Sequence, residues 1–316
     1  MEELAKEAEE AAKKGEQRNV YKVTKLICGK YNDSRNAPIR YKQGPLLTTE
    51  KDQEARWVEH FKEVLNRPAP EEELHIPVAE EDLSVDIRPL KKEEIIAAIN
   101  SLKNHKAPGK DRPNAELFKA DTVTTANILQ PLFNTIWDRR KIPDDWNEGI
   151  IIKIPKKGAL SECSNMRGIT LLSTPSKILA KVIMKRLLLA VDLKLREEQA
   201  GFRRGRECID HVCTLRNIIE QSTEWQRTLY VNFVYFAKAF DSVHQHRLWK
   251  ILRAYGIPSH IAEFMKSFYD NFTCCVGDGD ICPHWCKAGV CHVHITFQPC
   301  CGLDYAAHHW GSNQGQ

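Results

Sequence analysis

Tyr230-Val231-Asn232-Phe233-Val234-Tyr235-Phe236-Ala237-Lys238-Ala239-Phe240-Asp241 decides how this chain is read. From Thr228 to Phe236 it is rich in aromatic and β-branched residues, the composition of a strand. That apolar run passes into Lys238-Ala239-Phe240-Asp241 and then Ser242-Val243-His244, a more specific sequence than any other in the chain. Downstream, His246 to Tyr255 and Ile261 to Tyr269 look helical, separated by Gly256-Ile257-Pro258. Upstream, Ser176 to Arg196 reads as a long helix with Lys177, Lys181 and Lys185 on one face and Ile178, Val182 and Leu189 towards another. Gly149 to Ile154 is a second β-rich run, and Ala126 to Arg139 a helix that ends before Pro143. Lys91 to Leu102 is amphipathic with Ile95, Ile96, Ile99 and Leu102 inward, as is Glu54 to Leu65 with Trp57, Phe61 and Leu65. Met1 to Lys14 reads as an exposed helix. No internal repeat occurs, so the pattern is α+β and helix-rich rather than a solenoid.

With 316 residues and 42% hydrophobic composition, the chain can bury one large core or two small ones. A spanning helix needs about 20 consecutive apolar residues. The best run, Ile178 to Val191, is broken by Lys181, Lys185 and Arg186, so no membrane partner is expected. Met1 to Gly15 alternates Glu, Lys and Ala, which excludes a secretory signal and implies an intracellular protein, nuclear or cytoplasmic, with reduced thiols. The net charge of +4 hides an uneven distribution. Residues 1–102 carry −4, residues 103–206 carry +10 and residues 207–316 carry −2. A basic block of that size suits a phosphate-bearing partner, RNA or DNA bound weakly and without sequence preference, or else is a solvated charged face.

Three clusters build the block: Lys103, Lys106 and Lys110 around Gly109; Lys153, Lys156 and Lys157 before Gly158; and Arg203, Arg204 and Arg206 around Gly205. Glycine beside basic residues permits close backbone approach to a phosphate. None fits the Walker pattern, because no Gly-Lys-Ser/Thr follows a glycine at the required spacing.

The strand into Lys238-Ala239-Phe240-Asp241 resembles the palm strand of the reverse transcriptases of non-LTR (LINE-type) retrotransposons, where it ends in Asp-x-x-Lys-Ala-Phe-Asp-x-Val. The resemblance extends both ways. Leu102 to Asp111 is similar to the family's opening fingers loop, and Ile151 to Lys157 with Met166-Arg167-Gly168-Ile169 to its second fingers motif. Gln199-Ala200-Gly201-Phe202-Arg203 resembles the turn before the palm, and Trp225 to Pro258 continues in step. The match covers roughly residues 54–290. It implies a fold of reverse-transcriptase fingers and an incomplete palm over 86–290, after a helical N-terminal segment and acidic linker over 1–85 whose Pro68, Pro70 and Pro77 mark the boundary. The activity it implies is RNA-directed DNA synthesis with Mg²⁺. Lys153 and Arg167 would meet the triphosphate and Phe240 would gate the sugar, while Lys103, Lys106, Lys156, Lys157, Arg203 and Arg204 would meet nucleic acid.

The chain departs from that pattern where the chemistry is strictest. Nucleotidyl transfer needs two metal ions clamping the attacking and leaving oxygens, and carboxylates to hold them. The family takes one aspartate from the palm strand and two from a later aromatic-x-Asp-Asp hairpin. Here the palm position is Tyr235, a neutral phenol at pH 7 and a poor ligand for a hard divalent ion. The only adjacent aspartates, Asp144-Asp145, lie far upstream between Pro143 and Trp146. Asp241 follows the gating aromatic and does not hold metal in the family. No catalytic residue is intact and no metal is expected to be retained. The fingers loop also carries Asp111-Arg112-Pro113-Asn114 where the pattern expects a flexible Asp-Gly.

Seven of eleven cysteines and five of twelve histidines follow Phe272. Cys282, Cys286, Cys291, His292 and His294 invite a zinc reading, but the spacing is irregular and no paired Cys-x-x-Cys occurs. Shifting the frame by one nucleotide from His292 permits a stretch close to the family's continuation, so residues 291–316 are read as an out-of-frame, disordered tail. The expectation is a truncated, degenerate reverse transcriptase fragment, catalytically inactive with residual nucleic-acid binding. The alternatives are a nonenzymatic helical interaction protein and a poorly folding pseudogene product.

Overall fold

The computed structural model describes residues 2–13, 19, 23, 38–42, 44–66, 68, 75–156, 158–203, 205–235, 241, 243–276 and 285–287. The chain divides into two compact units, Met1–Gln53 with Lys153–Arg167, and Glu54–Ile152 with Gly168–Gln316. Phe240, Lys157, Arg204 and the Cys/His-rich tail from 288 onward lie outside the described residues.

In the first unit, helix α1 (Glu2–Lys13) is the exposed helix its alternating charges predict, with Ala11 buried. Strands β1 (Ile39–Arg40) and β2 (Leu46–Leu47) pair antiparallel, Ile39 opposite Leu47. Their turn is closed by the Gly44 N–H donating to the Tyr41 carbonyl at 2.8 Å. The Arg40 N–H donates to the Ser161 carbonyl at 2.8 Å, which ties this hairpin to residues 120 positions further along.

The second unit holds the main core. Helix α2 (Glu50–Leu65), which starts in the first unit, buries Trp57, Phe61, Val64 and Leu65, the stripe its four-residue spacing requires. Helices α3 (Lys92–Asn100), α4 (Ala115–Ala120) and α5 (Thr122–Arg139) follow. A short 3₁₀ turn at Asp144–Trp146 leads into β3 (Glu148–Pro155), then β4 (Met166–Leu171) and α6 (Thr174–Asp192). The chain continues through α7 (Cys208–Glu224), α8 (Gln245–Ala254), α9 (Ser259–Ser267), β5 (Thr273–Val276) and β6 (Trp285–Lys287). The sheet order is β4-β3-β5-β6, with β3 parallel to β5 (Glu148 opposite Thr273) and β5 antiparallel to β6.

Helix α3 packs on α5 and α6, so Ile95, Ile99, Phe133, Trp137, Ile178 and Ile183 form one apolar centre. Trp137 meets Phe264 of α9 at 4.8 Å between centroids, and Phe264 meets Phe268 edge-on at 5.4 Å. Helix starts are fixed by side chains that accept from first-turn amides. Asp121 accepts from Val123 and Thr124 at the head of α5, and Ser173 accepts from Ser176 at the head of α6.

Composition marks residues 66–86 as linker, but their later part is held to the second unit. Leu83 donates its N–H to the Gly256 carbonyl at 2.5 Å, and Arg253 Nη1 reaches Asp82 at 3.0 Å. Gly256 has φ 82°, and a Cβ there would lie 2.8 Å from the Glu81 carbonyl oxygen, so this turn admits only glycine. Trp137 Nε1 donates to the Ile87 carbonyl. The buried Arg186 closes the arrangement, donating to the carbonyls of Asp86, Arg88 and Pro89 and to both Glu94 carboxylate oxygens.

Three expectations are corrected. Residues 228–235 form no strand: among the described residues their N–H and C=O groups have no hydrogen-bond partner, and β-propensity without a neighbouring strand cannot make a ladder. Leu189, in phase with Ile178, is 78% exposed, because the last turns of α6 bury the opposite side, through Leu187 and Val191. The thiols are mixed rather than uniformly reduced, with Cys208 and Cys213 exposed thiols and Cys275 disulfide-bonded.

Candidate nucleic-acid interface

The loop 101–113 belongs to the second unit and is pinned at several points. Lys119 Nζ donates to the Leu102 carbonyl and Asn104 Oδ1, both at 2.7 Å, and Lys181 Nζ donates to the Ser101 carbonyl at 2.9 Å and its hydroxyl at 3.0 Å. Two ammonium groups therefore sit at the C-terminus of α3, where the helix dipole is negative. Burial lowers the Lys181 pKa, and the charges of Lys103 and Lys119 lower it further. At the far end of the loop Gly109 lies against the Leu172 backbone so closely that a Cβ would stand 2.5 Å from the carbonyl carbon. Asp111 Oδ2 accepts the Thr174 N–H at 3.2 Å, and the Thr174 hydroxyl donates to the Pro113 carbonyl at 2.7 Å. Burial pushes the Asp111 carboxyl above its usual range, opposed by the Thr174 N–H and the Lys177 charge. Arg112, where a glycine was expected, takes φ 66°, the left-handed region that disfavours side chains.

On this pinned loop Lys103 and Lys106 are exposed, while Lys110 pairs with Glu148 at the start of β3. Arg203 is different. Its side chain is one-tenth exposed, its Nε pairs with Asp192 at 2.9 Å, and its Nη1 donates to the Arg196 carbonyl at 2.7 Å. The structure uses Arg203 to clamp the turn after α6, so it is withdrawn from the set presented to solvent.

The first unit carries the other basic group. Lys156 is exposed, and its N–H donates to the Asn165 carbonyl at 2.8 Å, closing a loop in which Asn165 Nδ2 donates to the Ala159 carbonyl. Lys153 and Arg167 do not converge as the sequence implied. A Cβ on Gly168 would touch Ile151 at 3.1 Å, so Gly168 shares a face of the strand pair with Ile151. By alternation Lys153 lies on that face and Arg167 on the opposite, exposed one with Ile169. Arg40 and Lys42, both exposed, join this unit through the β1–β2 hairpin. Sequence reading missed them because only the Arg40–Ser161 contact brings them near the basic loop.

Tyr235 is 89% exposed on the segment without regular structure. Among the described residues no group of three or more His, Cys, Asp or Glu side chains could hold a metal ion. Asp144 and Asp145 are exposed in the 3₁₀ turn before β3. The described side chains thus do not fit a pair of hard divalent ions, which require convergent carboxylates.

Residues 154–291 match the family of reverse transcriptases (RNA-dependent DNA polymerases), and the chain is related to those of non-LTR retrotransposons. It is 28% identical over 288 residues, 86% of its length, to a probable RNA-directed DNA polymerase from transposon BS of Drosophila melanogaster, of which it covers 31%. It is 26% identical over 60% of its length to a transposon TX1 protein of Xenopus laevis, covering 14% of that chain. It is 27% identical over 59% of its length to a retrovirus-related Pol polyprotein from a type-1 retrotransposable element R2 of Popillia japonica, covering 25%. The chain therefore spans less than a third of these relatives. No helix among the described residues is long and apolar enough to cross a membrane.

Proposed function

We propose that this chain is a reverse-transcriptase derivative that binds RNA or DNA weakly and without sequence preference and does not polymerise. The observation that carries the reading is Tyr235, an exposed phenol where the related enzymes' pattern has a metal-holding aspartate. Loss of a metal site removes the stabilisation of both attacking and leaving oxygens, and each 1.36 kcal/mol lost is about tenfold in rate. Exposed Lys103 and Lys106 on one unit and Lys156 and Arg167 on the other supply charge for phosphates. Lys157 and Arg204 extend this set by sequence position alone, and Phe240 stands where the nucleotide's sugar would be gated.

Primer extension with dNTPs and Mg²⁺ or Mn²⁺ should give no product; extension abolished by Lys153→Ala or Arg167→Ala would overturn the reading. Filter binding should detect single-stranded RNA at low salt and lose it steeply as salt rises, since each neutralised phosphate releases a counterion. Affinity that does not change with salt would refute a phosphate-driven contact. Lys156→Glu combined with Arg167→Glu should weaken binding equally across unrelated sequences.

A further inference from the structure

Leu229-Tyr230-Val231-Asn232-Phe233-Val234-Tyr235, part of the second unit, forms no helix or strand, and its Tyr230, Phe233 and Tyr235 are respectively 91, 79 and 89% exposed. Among the described residues no backbone N–H or C=O of this segment has a partner. Helix α7 just before it buries no residue and exposes Ile209, Val212, Ile218 and Ile219, and Trp225 at its end is 65% exposed. The heptapeptide has no charge, no proline and no glycine, and six of its seven residues are aromatic or aliphatic. Such a segment, with high β-propensity and an open backbone edge, is a template for another strand.

We infer that residues 229–235 are a homotypic interface, in which the segment pairs as an antiparallel strand with the same segment of a second copy of this chain. The sequence is close to self-complementary about Asn232: Leu229 would oppose Tyr235, Tyr230 would oppose Val234, and Val231 would oppose Phe233. One face of the paired ribbon then gathers Leu229, Val231, Phe233 and Tyr235 from both copies, an apolar surface with no like charges brought together. Phe233 and Tyr235 bring the largest area to that face, on the order of 300 Å² per copy at about 150–250 Å² for a whole aromatic side chain. That is less than the ~800 Å² per side of a standard interface, so the pairing is weak and depends on concentration. Nucleic acid is the wrong occupant, because the segment carries no cation to meet a phosphate.

The test is sedimentation velocity of the full chain from about 1 to about 50 μM, the range in which open strand edges associate. A reductant is included so that exposed Cys208 and Cys213 cannot cross-link copies. The mass should rise with concentration, together with an intermolecular β-sheet infrared band. Phe233→Lys and Val231→Pro should each hold the chain monomeric with an unchanged melting temperature, since neither side chain supports the core. Should either variant melt early, a free peptide of residues 229–235 added to the unmodified chain replaces it and should dissolve the oligomer. A chain that stays monomeric throughout, association that persists in Phe233→Lys, or a peptide without effect would each overturn the inference. So would a monomer whose 229–235 amides resist hydrogen exchange, because the segment would then have joined its own sheet.

Discussion

Arg112 stands at φ 66° immediately before Pro113, a combination that a side chain tolerates poorly and a following proline does not ease. Replacing it with glycine should stabilise the chain by about 0.5–1 kcal/mol, after allowance for glycine's greater freedom when unfolded. Urea titration would read this as a higher midpoint at constant slope, and a lower midpoint would mean the Arg112 side chain makes a contact worth more than the strain. Arg186 is the opposite case, a buried guanidinium whose donors hold Glu94 and three carbonyls. Arg186→Met should cost about 3–5 kcal/mol, because it leaves the Glu94 carboxylate and those carbonyls without their partner. Burial alone would raise the Glu94 pKa, but hydrogen bonds from Arg186 and the Lys91 amide outweigh it and hold the carboxyl below its usual range. A depressed carboxyl contributes stability that is present above the ordinary value near 4.5 and lost as pH falls through the depressed one. Acid titration of Arg186→Met should therefore lose part of the slope below pH 4.5 seen in the unmodified chain.

Helix periodicity was legible at the level of elements and strand pairing was not. The stripes Trp57–Phe61–Leu65 and Ile95–Ile99 lie on buried faces because a helix makes its own hydrogen bonds and needs only one apolar side. A strand needs a neighbour, and that neighbour cannot be read from its own residues, which is why Gly149–Ile154 found β5 while Thr228–Tyr235 found nothing. The stripe Ile209–Val212–Ile219 of helix α7 has the same helical spacing and went unread, and the structure leaves it exposed instead of buried. The caps were readable in principle, since Asp121 and Ser173 precede their helices as N-caps do. Asp121→Ala should cost about 1–2 kcal/mol and Ser173→Ala about 1 kcal/mol, each seen as a lower melting temperature. Asp121→Asn should restore most of the first loss, because a carboxamide oxygen still accepts from the same amides, whereas an equal loss would point to charge and not to capping.

For the molecule as a whole, the basic loops were found from charge and glycine, but which of their side chains reach solvent was not, because that depends on the face of a strand each residue takes and on the partners it finds. Lys153 and Arg167 are fourteen positions apart and point to opposite sides, and Arg203 is spent on its own turn. Since the described side chains offer no cluster of carboxylates, millimolar Mg²⁺ should leave the melting temperature unchanged and a chelator should not lower it. A rise with Mg²⁺ that Tyr235→Phe leaves intact would locate a metal site elsewhere. The parallel pairing of Glu148 with Thr273 has a consequence for how the chain is made. The partner of β3 leaves the ribosome about 125 residues later, on the order of ten seconds at usual translation rates. During that interval the nascent polypeptide displays β3 with β4 on one edge and its other edge open, together with the apolar 229–235 stretch, so folding is a race between the arrival of β5 and capture by a chaperone or a neighbouring nascent chain on the same messenger.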